Sequence, residues 1–309
     1  MQVNPSAWRT RIECHLSVRV GSTVINALSF DIEDYYQVSA FEKVVNRDRW
    51  EQYPSRVENN TRRVLDLLDQ RNTKATFFVL GWVAERHPAL VRDIHARGHE
   101  VACHGYSHRL IYTQTPDEFE QETRRSKDIL EAAIGSRIRG YRAASYSITR
   151  RSLWALDILH DLGFEYDSSV FPVRHDRYGI PDAPRFPHEI RLGGGGKLTE
   201  FPVATLNIWG YRLPVGGGGY FRIFPYSLIA YAIAHLNEKE QQPAMFYLHP
   251  WELDPDQPRI QAGRLSRFRH YHNLKKCEQR LRRLLDTRVF TTAANVLGNY
   301  NRPLEVVTY

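Results

Sequence analysis

Two kinds of segment alternate along the first half of this chain, and the alternation constrains its fold more than any other feature. Residues 24–30, 75–80 and 100–103 have the apolar character of buried strands, whereas residues 56–70, 84–97 and 116–133 have the periodicity of helices. Strands that alternate with helices favour a parallel sheet covered by helices. The sequence therefore predicts an α/β fold with its functional groups where strands end and loops begin.

The length and the composition limit the number of domains. With 309 residues, 42% of them hydrophobic, the chain can bury one large core or two modest ones. We favour a single domain over residues 24–298, preceded by an N-terminal extension at residues 1–23 and followed by a tail at residues 299–309. Glycine runs at residues 193–196 and 216–219 indicate turns of a hairpin insertion rather than phosphate-binding loops, because neither opens an obvious helix.

Several features predict a cytoplasmic protein without disulfide bonds. Cys14, Cys103 and Cys277 have no CxxC spacing, so they form neither a disulfide framework nor a thiolate metal site. No apolar run approaches the ~18 residues that a membrane span requires. The N-terminal residues lack the apolar core of a signal peptide.

The net charge of +7 is concentrated near the C terminus. Residues 259–288 contain ten Lys or Arg and two Asp or Glu, and Leu274, Cys277 and Leu281 recur there at helical spacing. This pattern predicts a basic amphipathic helix. Its charged face is either solvated or placed against anionic lipid, an acidic glycan or nucleic acid. Since no nucleic-acid-binding motif accompanies the charge, no nucleic-acid partner is expected.

Two histidines and a group of carboxylates indicate a metal site. His104 and His108 are four residues apart, on one face of a helical turn or at the two ends of a tight loop, and Asp31, Glu33 and Asp34 follow the first strand. The histidine pair alone fits a structural role equally well, but buried carboxylates are costly without a cation. Imidazole and carboxylate ligands suit zinc, and three of them leave a position open for water and substrate. The pattern predicts a metal-dependent hydrolase.

Five short motifs, taken in order, resemble those of the polysaccharide deacetylases, the NodB-homology carbohydrate esterases of family four. They are Ser-Phe-Asp31, His104-Gly-Tyr-Ser-His108, Tyr-Arg142-Ala-Ala-Ser-Tyr146, Tyr-Asp167-Ser-Ser and Leu-His249-Pro. Residues 24–250 carry this resemblance. Three further stretches resemble the branch encoded with exopolysaccharide and exosortase-type loci, and extend the likeness over residues 251–298: Asp-Ile-Glu-Asp-Tyr-Tyr, Leu-Pro-Val-Gly-Gly-Gly-Gly-Tyr-Phe-Arg and His-Pro-Trp-Glu-Leu-Asp-Pro.

The resemblance implies a fold, an activity and roles for particular residues. The fold is a distorted (β/α) barrel of the NodB-homology type with a β-hairpin insertion and a basic C-terminal helix. Asp31 would be the general base, oriented by Arg142, and His249 the general acid, oriented by Asp167. Tyr146 would lie in the oxyanion region. The activity would be removal of N-acetyl groups from a glycan or lipid-linked sugar in exopolysaccharide biosynthesis.

The resemblance also implies ligands for a divalent metal, with zinc favoured over cobalt or nickel. His104 and His108 would bind it, with Glu33 or Asp34 as the third ligand. Glu33 is preferred because strand alternation puts it on the same face as Asp31. Three aromatic side chains are candidates for stacking on sugar rings: Tyr35, Tyr36 and Trp251.

Two other functions remain open at this point. Relatives of the same fold hydrolyse non-sugar C–N bonds such as cyclic amides, and a chain with an inactive site could simply bind glycan. Absence of a signal peptide favours action at the inner face of the membrane, with the basic helix against anionic lipid.

Overall fold

The structure is a computed structural model that describes residues 24–309. The predicted extension at residues 1–23, with Cys14, lies outside the described residues. The strands are β1 (Asn26–Ile32), β2 (Thr76–Val79), β3 (Glu100–Cys103), β4 (Gly140–Tyr141), β5 (Tyr166–Asp167), β6 (His188–Arg191), β7 (Lys197–Glu200), β8 (Thr205–Ile208), β9 (Tyr211–Pro214), β10 (Met245–Leu248), β11 (Phe290–Thr291) and β12 (Glu305–Val307). The helices are α1 (Val57–Asp69), α2 (Gly81–Arg86), α3 (Pro88–Ala96), α4 (Pro116–Ile134), α5 (Trp154–Asp161), α6 (Gly218–Ile223), α7 (Tyr226–Glu238), α8 (Arg264–Tyr271), α9 (Leu274–Thr287) and α10 (Ala293–Gly298).

The main sheet is parallel along most of its width and curls on itself. Its strand order is β10-β1-β2-β3-β4-β5-β7-β6-β12, and β11 also pairs with β1. The outer edge of β10 pairs with the chain after β7, where Val203 and Gly217 bridge to Met245 and Tyr247. The Ala204 N–H donates to the Met245 carbonyl at 3.1 Å. These bonds connect the two sides of the sheet, and the predicted α/β fold of the distorted barrel type is confirmed.

Local sequence explains where the helices begin and end. α4 begins at a capping box between Thr115 and Glu118 and ends at Gly135, whose φ of 66° is in the left-handed region. The single helix predicted at residues 84–97 is instead two helices, α2 and α3, that meet at His87. This residue precedes Pro88 and has φ −127° and ψ 54°, because the proline ring disfavours helical backbone in the residue before it.

The glycine-rich half contains two hairpins. The run at residues 193–196 turns between β6 and β7, and a second hairpin joins β8 to β9. The run at residues 216–219 does open a helix, α6, contrary to the prediction. Gly217 has φ 121°, and a Cβ atom there would lie 1.9 Å from the Tyr247 carbonyl oxygen, so glycine is required where this segment crosses β10.

The C-terminal part differs from the predicted single basic helix and tail. The basic region forms α8 and α9, which are separated at Asn273 by a left-handed φ of 56°. The buried face of α9 contains the predicted Leu274, Cys277 and Leu281. The predicted tail adds an edge strand, since β12 pairs in parallel with β6. Among residues 24–309, none of the helices combines the length and the apolarity that a bilayer span demands.

Candidate active site

The functional side chains predicted from the sequence lie at one end of the barrel. Asp31 is the second-to-last residue of β1. His104, Arg142 and His249 directly follow β3, β4 and β10. Because the carboxyl ends of parallel strands meet at the same edge of a sheet, these groups converge. A cavity of about 420 Å³ opens beside them, and its floor includes Asp31, His104 and His249 together with Glu33.

Glu33, His104 and His108 form a buried group that fits a divalent metal. One ligand atom from each lies within 4.8 Å of the other two. His108 Nε2 is 2.8 Å from one oxygen of Glu33, yet that oxygen has no well-aligned hydrogen bond within the described part of the chain. Burying a carboxylate and two imidazoles together is costly, and a cation bound between them would offset that cost. Two nitrogens and one oxygen also make a common ligand set of catalytic zinc sites.

The electrostatics of this group also suit a metal. Burial lowers the pKa of His104 to about 4, so the ring is neutral as a ligand must be. Its Nδ1 lies 2.7 Å from the Arg142 carbonyl oxygen, which leaves Nε2 to face the group. Burial alone would raise the pKa of Glu33, but His108 and His249 outweigh it and hold that pKa at about 2.

A tight loop, rather than a helical turn, brings the two histidines together. Gly105 and His108 have left-handed φ values of 73° and 52°. The Gly81 N–H donates to the Gly105 carbonyl at 2.8 Å and fixes the loop against the start of α2. Of the two geometries that the spacing allowed, the structure adopts the loop.

Asp31 is held by Arg142, as the resemblance implied. Arg142 Nη1 donates to Asp31 Oδ1 at 2.7 Å and to Ser29 Oγ at 2.8 Å. The guanidinium is fully buried, 4.0 Å above the Phe78 ring, and also donates to Ser168 Oγ at 3.0 Å. With Oδ1 engaged, Oδ2 of Asp31 faces the cavity, 4.0 Å from His249 Nε2. A carboxylate oxygen and an imidazole nitrogen thus border the same space.

Glu252, not Asp167, positions His249. His249 Nδ1 lies 2.8 Å from Glu252 Oε1. Asp167 instead accepts a hydrogen bond from Ser169 Oγ at 2.5 Å and faces Glu200 across the β5–β7 pairing. Burial raises the pKa of both Asp167 and Glu200, so this pair retains a proton. The role expected for Asp167 is therefore corrected: its carboxylate belongs to a separate buried pair.

Of the two candidates for the third ligand, only Glu33 lies with the histidines. Asp34 turns away and caps the start of α1. Its Oδ2 accepts from Ser55 Oγ and the Arg56 N–H, both at 2.8 Å, and from the Val57 N–H at 3.2 Å. Its Oδ1 accepts from the Tyr35 N–H at 3.0 Å. Both oxygens of Asp34 accept hydrogen bonds from the adjacent Tyr35 amide and from the residues that start α1, so Asp34 lies apart from the metal group.

The predicted sugar-stacking role is wrong for Tyr35 and Tyr36. Both are buried, 0% and 1% exposed, and neither lines the cavity. Tyr36 stacks on Tyr53 with ring centroids 5.0 Å apart, within an aromatic core below the site. Trp251 does line the cavity, but its ring stacks between His249 and His270 at 5.0 and 4.1 Å. Only its edge remains for a ligand.

Tyr146 lines the cavity. The Tyr146 N–H donates to Ala143 at 3.1 Å and the next amide, of Ser147, donates to Ala144 at 3.2 Å, so both amides have backbone partners. The hydroxyl oxygen is buried without a hydrogen-bond partner among residues 24–309. An oxyanion role for Tyr146 would therefore use the phenol rather than the amides.

The walls of the cavity had no direct signal in the sequence. They are largely apolar and come from segments far apart in the chain. The wall residues that the sequence reasoning missed include Val38, Leu110, Tyr178, Tyr220, Ile223, Phe224 and Arg269. Glu252, in contrast, had a local signal, because an acid three residues after His249 and following Pro250 fits a helix-capping pattern.

Comparison with known proteins matches two parts of the chain to protein families. Residues 48–166 match the family model described as polysaccharide deacetylase, and residues 168–298 match a domain of unknown function (DUF3473). A stretch of 75 residues is 39% identical to a peptidoglycan-N-acetylglucosamine deacetylase of Bacillus cereus, covering 24% of this chain and 27% of that protein. A stretch of 99 residues is 32% identical to a chitooligosaccharide deacetylase of Rhizobium leguminosarum bv. trifolii, covering 32% and 43%.

A solved structure from Mycobacterium smegmatis, described as a polysaccharide deacetylase, shares the fold. It aligns with a TM-score of 0.60 at 19% identity, over 99% of this chain and 98% of that one. The curated relatives are each matched over less than half of their length, 27% and 43%. Residues 48–166 thus match the polysaccharide deacetylase family, the family that the motifs of the chain resemble.

Proposed function

We propose that this protein is a metal-dependent hydrolase that removes N-acetyl groups from an N-acetylated glycan. One observation carries the proposal. Around a single cavity lie a metal-binding group (Glu33, His104, His108), a carboxylate fixed by a buried arginine, and a histidine fixed by a buried glutamate. A base, an acid and a Lewis-acid site are the parts that amide hydrolysis requires.

The residues divide the reaction between them. A divalent metal held by Glu33, His104 and His108 would polarise the acetyl carbonyl and lower the pKa of water. Asp31 Oδ2 accepts the proton of the attacking water, while Arg142 holds the other carboxylate oxygen. His249 Nε2, 4.0 Å from that Oδ2, donates a proton to the departing amine. The Tyr146 hydroxyl group donates to the developing oxyanion.

Zinc is the metal we propose, because two imidazoles and one carboxylate are a frequent catalytic zinc set. Cobalt and nickel accept the same ligands and are the alternatives. The metal content of protein purified without added metal, measured by mass spectrometry, distinguishes the three. Calcium or magnesium in the site would contradict the proposal, since these ions prefer an all-oxygen shell.

We infer that the substrate belongs to exopolysaccharide assembly. The support is the likeness of the Leu-Pro-Val-Gly-Gly-Gly-Gly-Tyr-Phe-Arg and His-Pro-Trp-Glu-Leu-Asp-Pro stretches to the exopolysaccharide-associated branch. The curated relatives bear names that specify peptidoglycan N-acetylglucosamine and chitooligosaccharides. An N-acetylated hexosamine in a growing or lipid-linked chain is the substrate class that both lines of support share.

We further propose that α8, rather than α9, faces an anionic membrane that presents the lipid-linked substrate. The charges of α9 are only partly engaged: Arg282 pairs with Glu278 at 2.7 Å, and Arg280 donates to the Phe221 carbonyl at 2.6 Å. Within residues 24–309, the exposed basic residues without an ion-pair partner include Arg264 and Arg267 on α8, and Lys275, Lys276 and Arg283 on α9. Free positive charge therefore lies on both helices, and the apolar side chains among the charges of α8 favour that helix for contact with lipid.

The exposed side of α8 combines this charge with apolar side chains. Leu265 is 60% exposed and Phe268 is 51% exposed, between arginines. Interfacial helices bury such apolar groups among lipids while arginines contact anionic head groups. The same helix contributes Arg269 and His270 to the cavity wall. A membrane against α8 would thus lie beside the cavity, and a purely solvated face would not explain the exposed Phe268.

Vesicle flotation tests this surface. We expect binding to vesicles that contain phosphatidylglycerol and none to vesicles of phosphatidylcholine alone. The R264Q/R267Q variant should lose binding, whereas K275Q/K276Q, which removes the same charge from α9, should retain it. Equal losses in the two variants, or binding to nucleic acid but not to vesicles, would contradict a membrane role for α8.

Product analysis tests the activity and separates the alternatives. We expect the zinc-loaded protein to release acetate from N-acetylated oligosaccharides in amounts equal to the amines formed. The D31N variant should release at least about 100-fold less, because it lacks the base. Turnover of cyclic amides without acetate release from glycans would favour the non-sugar C–N hydrolase. Tight glycan binding without turnover would favour a binding protein.

A further inference from the structure

We propose that Glu252 and Arg222 are positioning residues that hold His249 in place to protonate the leaving amine. They belong to the two branch-specific stretches, Gly216 to Arg222 and His249 to Glu252, to which the mechanism so far assigns no role beyond His249 itself. The inference rests on the proposed N-deacetylase function. It gives those stretches a chemical task in the reaction.

Glu252 uses both carboxylate oxygens in this arrangement. Oε1 accepts hydrogen bonds from His249 Nδ1 at 2.8 Å and from the His249 backbone N–H at 3.0 Å. Oε2 accepts from Arg222 Nε at 2.5 Å. The carboxylate is fully buried. Burial opposes its ionisation, but Arg222 and His249 outweigh burial and lower the pKa of Glu252 to about 2.

Arg222 anchors this carboxylate to the end of α8. It is 2% exposed, and three of its four remaining guanidinium N–H groups donate to backbone carbonyls. Nη1 donates to His270 and His272 at 2.8 and 2.9 Å, and Nη2 donates to Arg269 at 2.9 Å. A guanidinium fork can satisfy one carboxylate and three carbonyls at once, which an ammonium group cannot do in fixed geometry. The position of Glu252 is thus set by α6 and α8 together.

The contact with Glu252 sets the orientation of the His249 ring. With the Nδ1–H donated to Glu252, the other nitrogen points to the cavity, 3.4 Å from Glu33 Oε1 and 4.0 Å from Asp31 Oδ2. The Trp251 ring stacks on one face of the imidazole. Without Glu252, Nδ1 would be left unpaired and the ring could rotate about Cβ–Cγ. The proton on Nε2 would then no longer be aimed at the leaving group.

The role makes a prediction that depends on the leaving group. In N-deacetylation, water adds to the acetyl carbon, the C–N bond breaks, and its electron pair takes a proton from His249 Nε2, giving acetate and an amine. An activated ester such as 4-nitrophenyl acetate expels a phenolate, which needs no proton. A defect in positioning His249 should therefore slow amide cleavage and leave ester cleavage nearly unchanged.

The test compares E252Q with D256N in the zinc-loaded full chain, using an N-acetylated oligosaccharide and 4-nitrophenyl acetate. Asp256 is exposed on the same segment, so D256N is a matched control for loss of charge. We expect E252Q to lower kcat for the amide by about 100-fold or more, with KM and ester hydrolysis within about threefold of wild type. R222K, which keeps the charge without the fork, should show a smaller loss of the same kind.

Equal losses on amide and ester in soluble E252Q and R222K would overturn the proposal, because a purely structural role lowers both. Wild-type amide activity in E252Q would also overturn it. A second readout does not require turnover: NMR of the histidine-ring N–H groups should show an Nδ1–H of His249 that exchanges slowly with water in the wild type, because it is held by Glu252, and that exchanges fast in E252Q. If no glycan is deacetylated, the proposed function fails, while the NMR result still decides whether Glu252 orients His249.

Discussion

Replacing Glu33 and Asp34 one at a time should show that only Glu33 binds the metal and that Asp34 stabilises the start of α1, although the two acids are adjacent in the sequence. Glu33 lies with His104 and His108, whereas Asp34 caps the start of α1. The variants E33Q and D34N each keep the side-chain shape and remove one charge. We expect E33Q to lose the metal and D34N to keep it.

The magnitude for D34N follows from the hydrogen bonds of Asp34. An amide oxygen in place of Oδ2 can keep the bonds from Ser55, Arg56 and Val57, but the amide NH₂ then faces the buried Tyr35 N–H. One unpaired buried donor costs about 1–3 kcal/mol. Burial raises the pKa of Asp34 despite its hydrogen bonds, so loss of the charge itself adds no further cost. We therefore expect D34N to lower the free energy of unfolding by about 1–3 kcal/mol.

Urea unfolding and metal content, measured on the same preparations, provide the assay. The comparison of stability is made on chelated protein, so that bound metal does not stabilise one variant more than another. E33Q should hold less than a tenth of the wild-type metal after reloading, and D34N should hold the wild-type amount. E33Q also loses some stability, because His108 and His249 hold the pKa of Glu33 at about 2. Loss of metal in D34N together with retention in E33Q would refute the assignment of the third ligand.

Three further predictions concern buried groups. The pKa of Glu252 is lowered to about 2 from an ordinary value of 4.5, so its contribution to stability is present above pH 4.5 and is lost as the pH falls toward 2. The free energy of unfolding in urea should therefore differ less between pH 3 and pH 6 in R222M/E252Q than in wild type. Y146F should lower kcat by about tenfold to 100-fold if its hydroxyl stabilises the oxyanion, with an unchanged melting temperature. Y36F removes a buried hydroxyl group that has no hydrogen-bond partner among residues 24–309. It should therefore leave kcat unchanged and not lower the melting temperature. A raised KM for glycan would indicate that Tyr36 does contact substrate.

Much of the site could be predicted because its groups are attached to strand ends. Apolar runs in the sequence mark β1, β3 and β10, and the polar residue near the end of each must lie at the same edge of the sheet. Asp31, His104 and His249 were located in this way. Arg142, after the two-residue β4, was indicated by the resemblance, and it contacts Asp31 at 2.7 Å. The choice of Glu33 over Asp34 followed from strand alternation alone.

The errors arose where a residue's partner is distant in the sequence. Asp167 was expected to contact His249, but the register of β5 with β7 places it opposite Glu200 instead. Tyr35 and Tyr36 are aromatic, as residues that stack on sugar rings are. Trp50 and Tyr53 pack on Tyr36, however, and both tyrosines are buried. Such packing depends on tertiary contacts that periodicity does not encode.

The charge pattern predicted that the C-terminal region is basic, but not which of its charged side chains have partners in the fold. The sequence placed its positive charge on one C-terminal helix, and the structure divides that charge between α8 and α9. Arg280 and Arg282 have partners supplied by α6 and by α9 itself. Only the three-dimensional arrangement distinguishes these arginines from Arg264 and Arg267, which have no ion-pair partner among residues 24–309.

The most direct test of the central claim is acetate release by chelated protein as zinc is added back. One equivalent of zinc per chain should restore release from an N-acetylated oligosaccharide, and H104A should neither bind that equivalent nor recover activity. Full activity of the chelated protein, or restoration of H104A to the wild-type rate, would contradict a mechanism built on Glu33, His104 and His108.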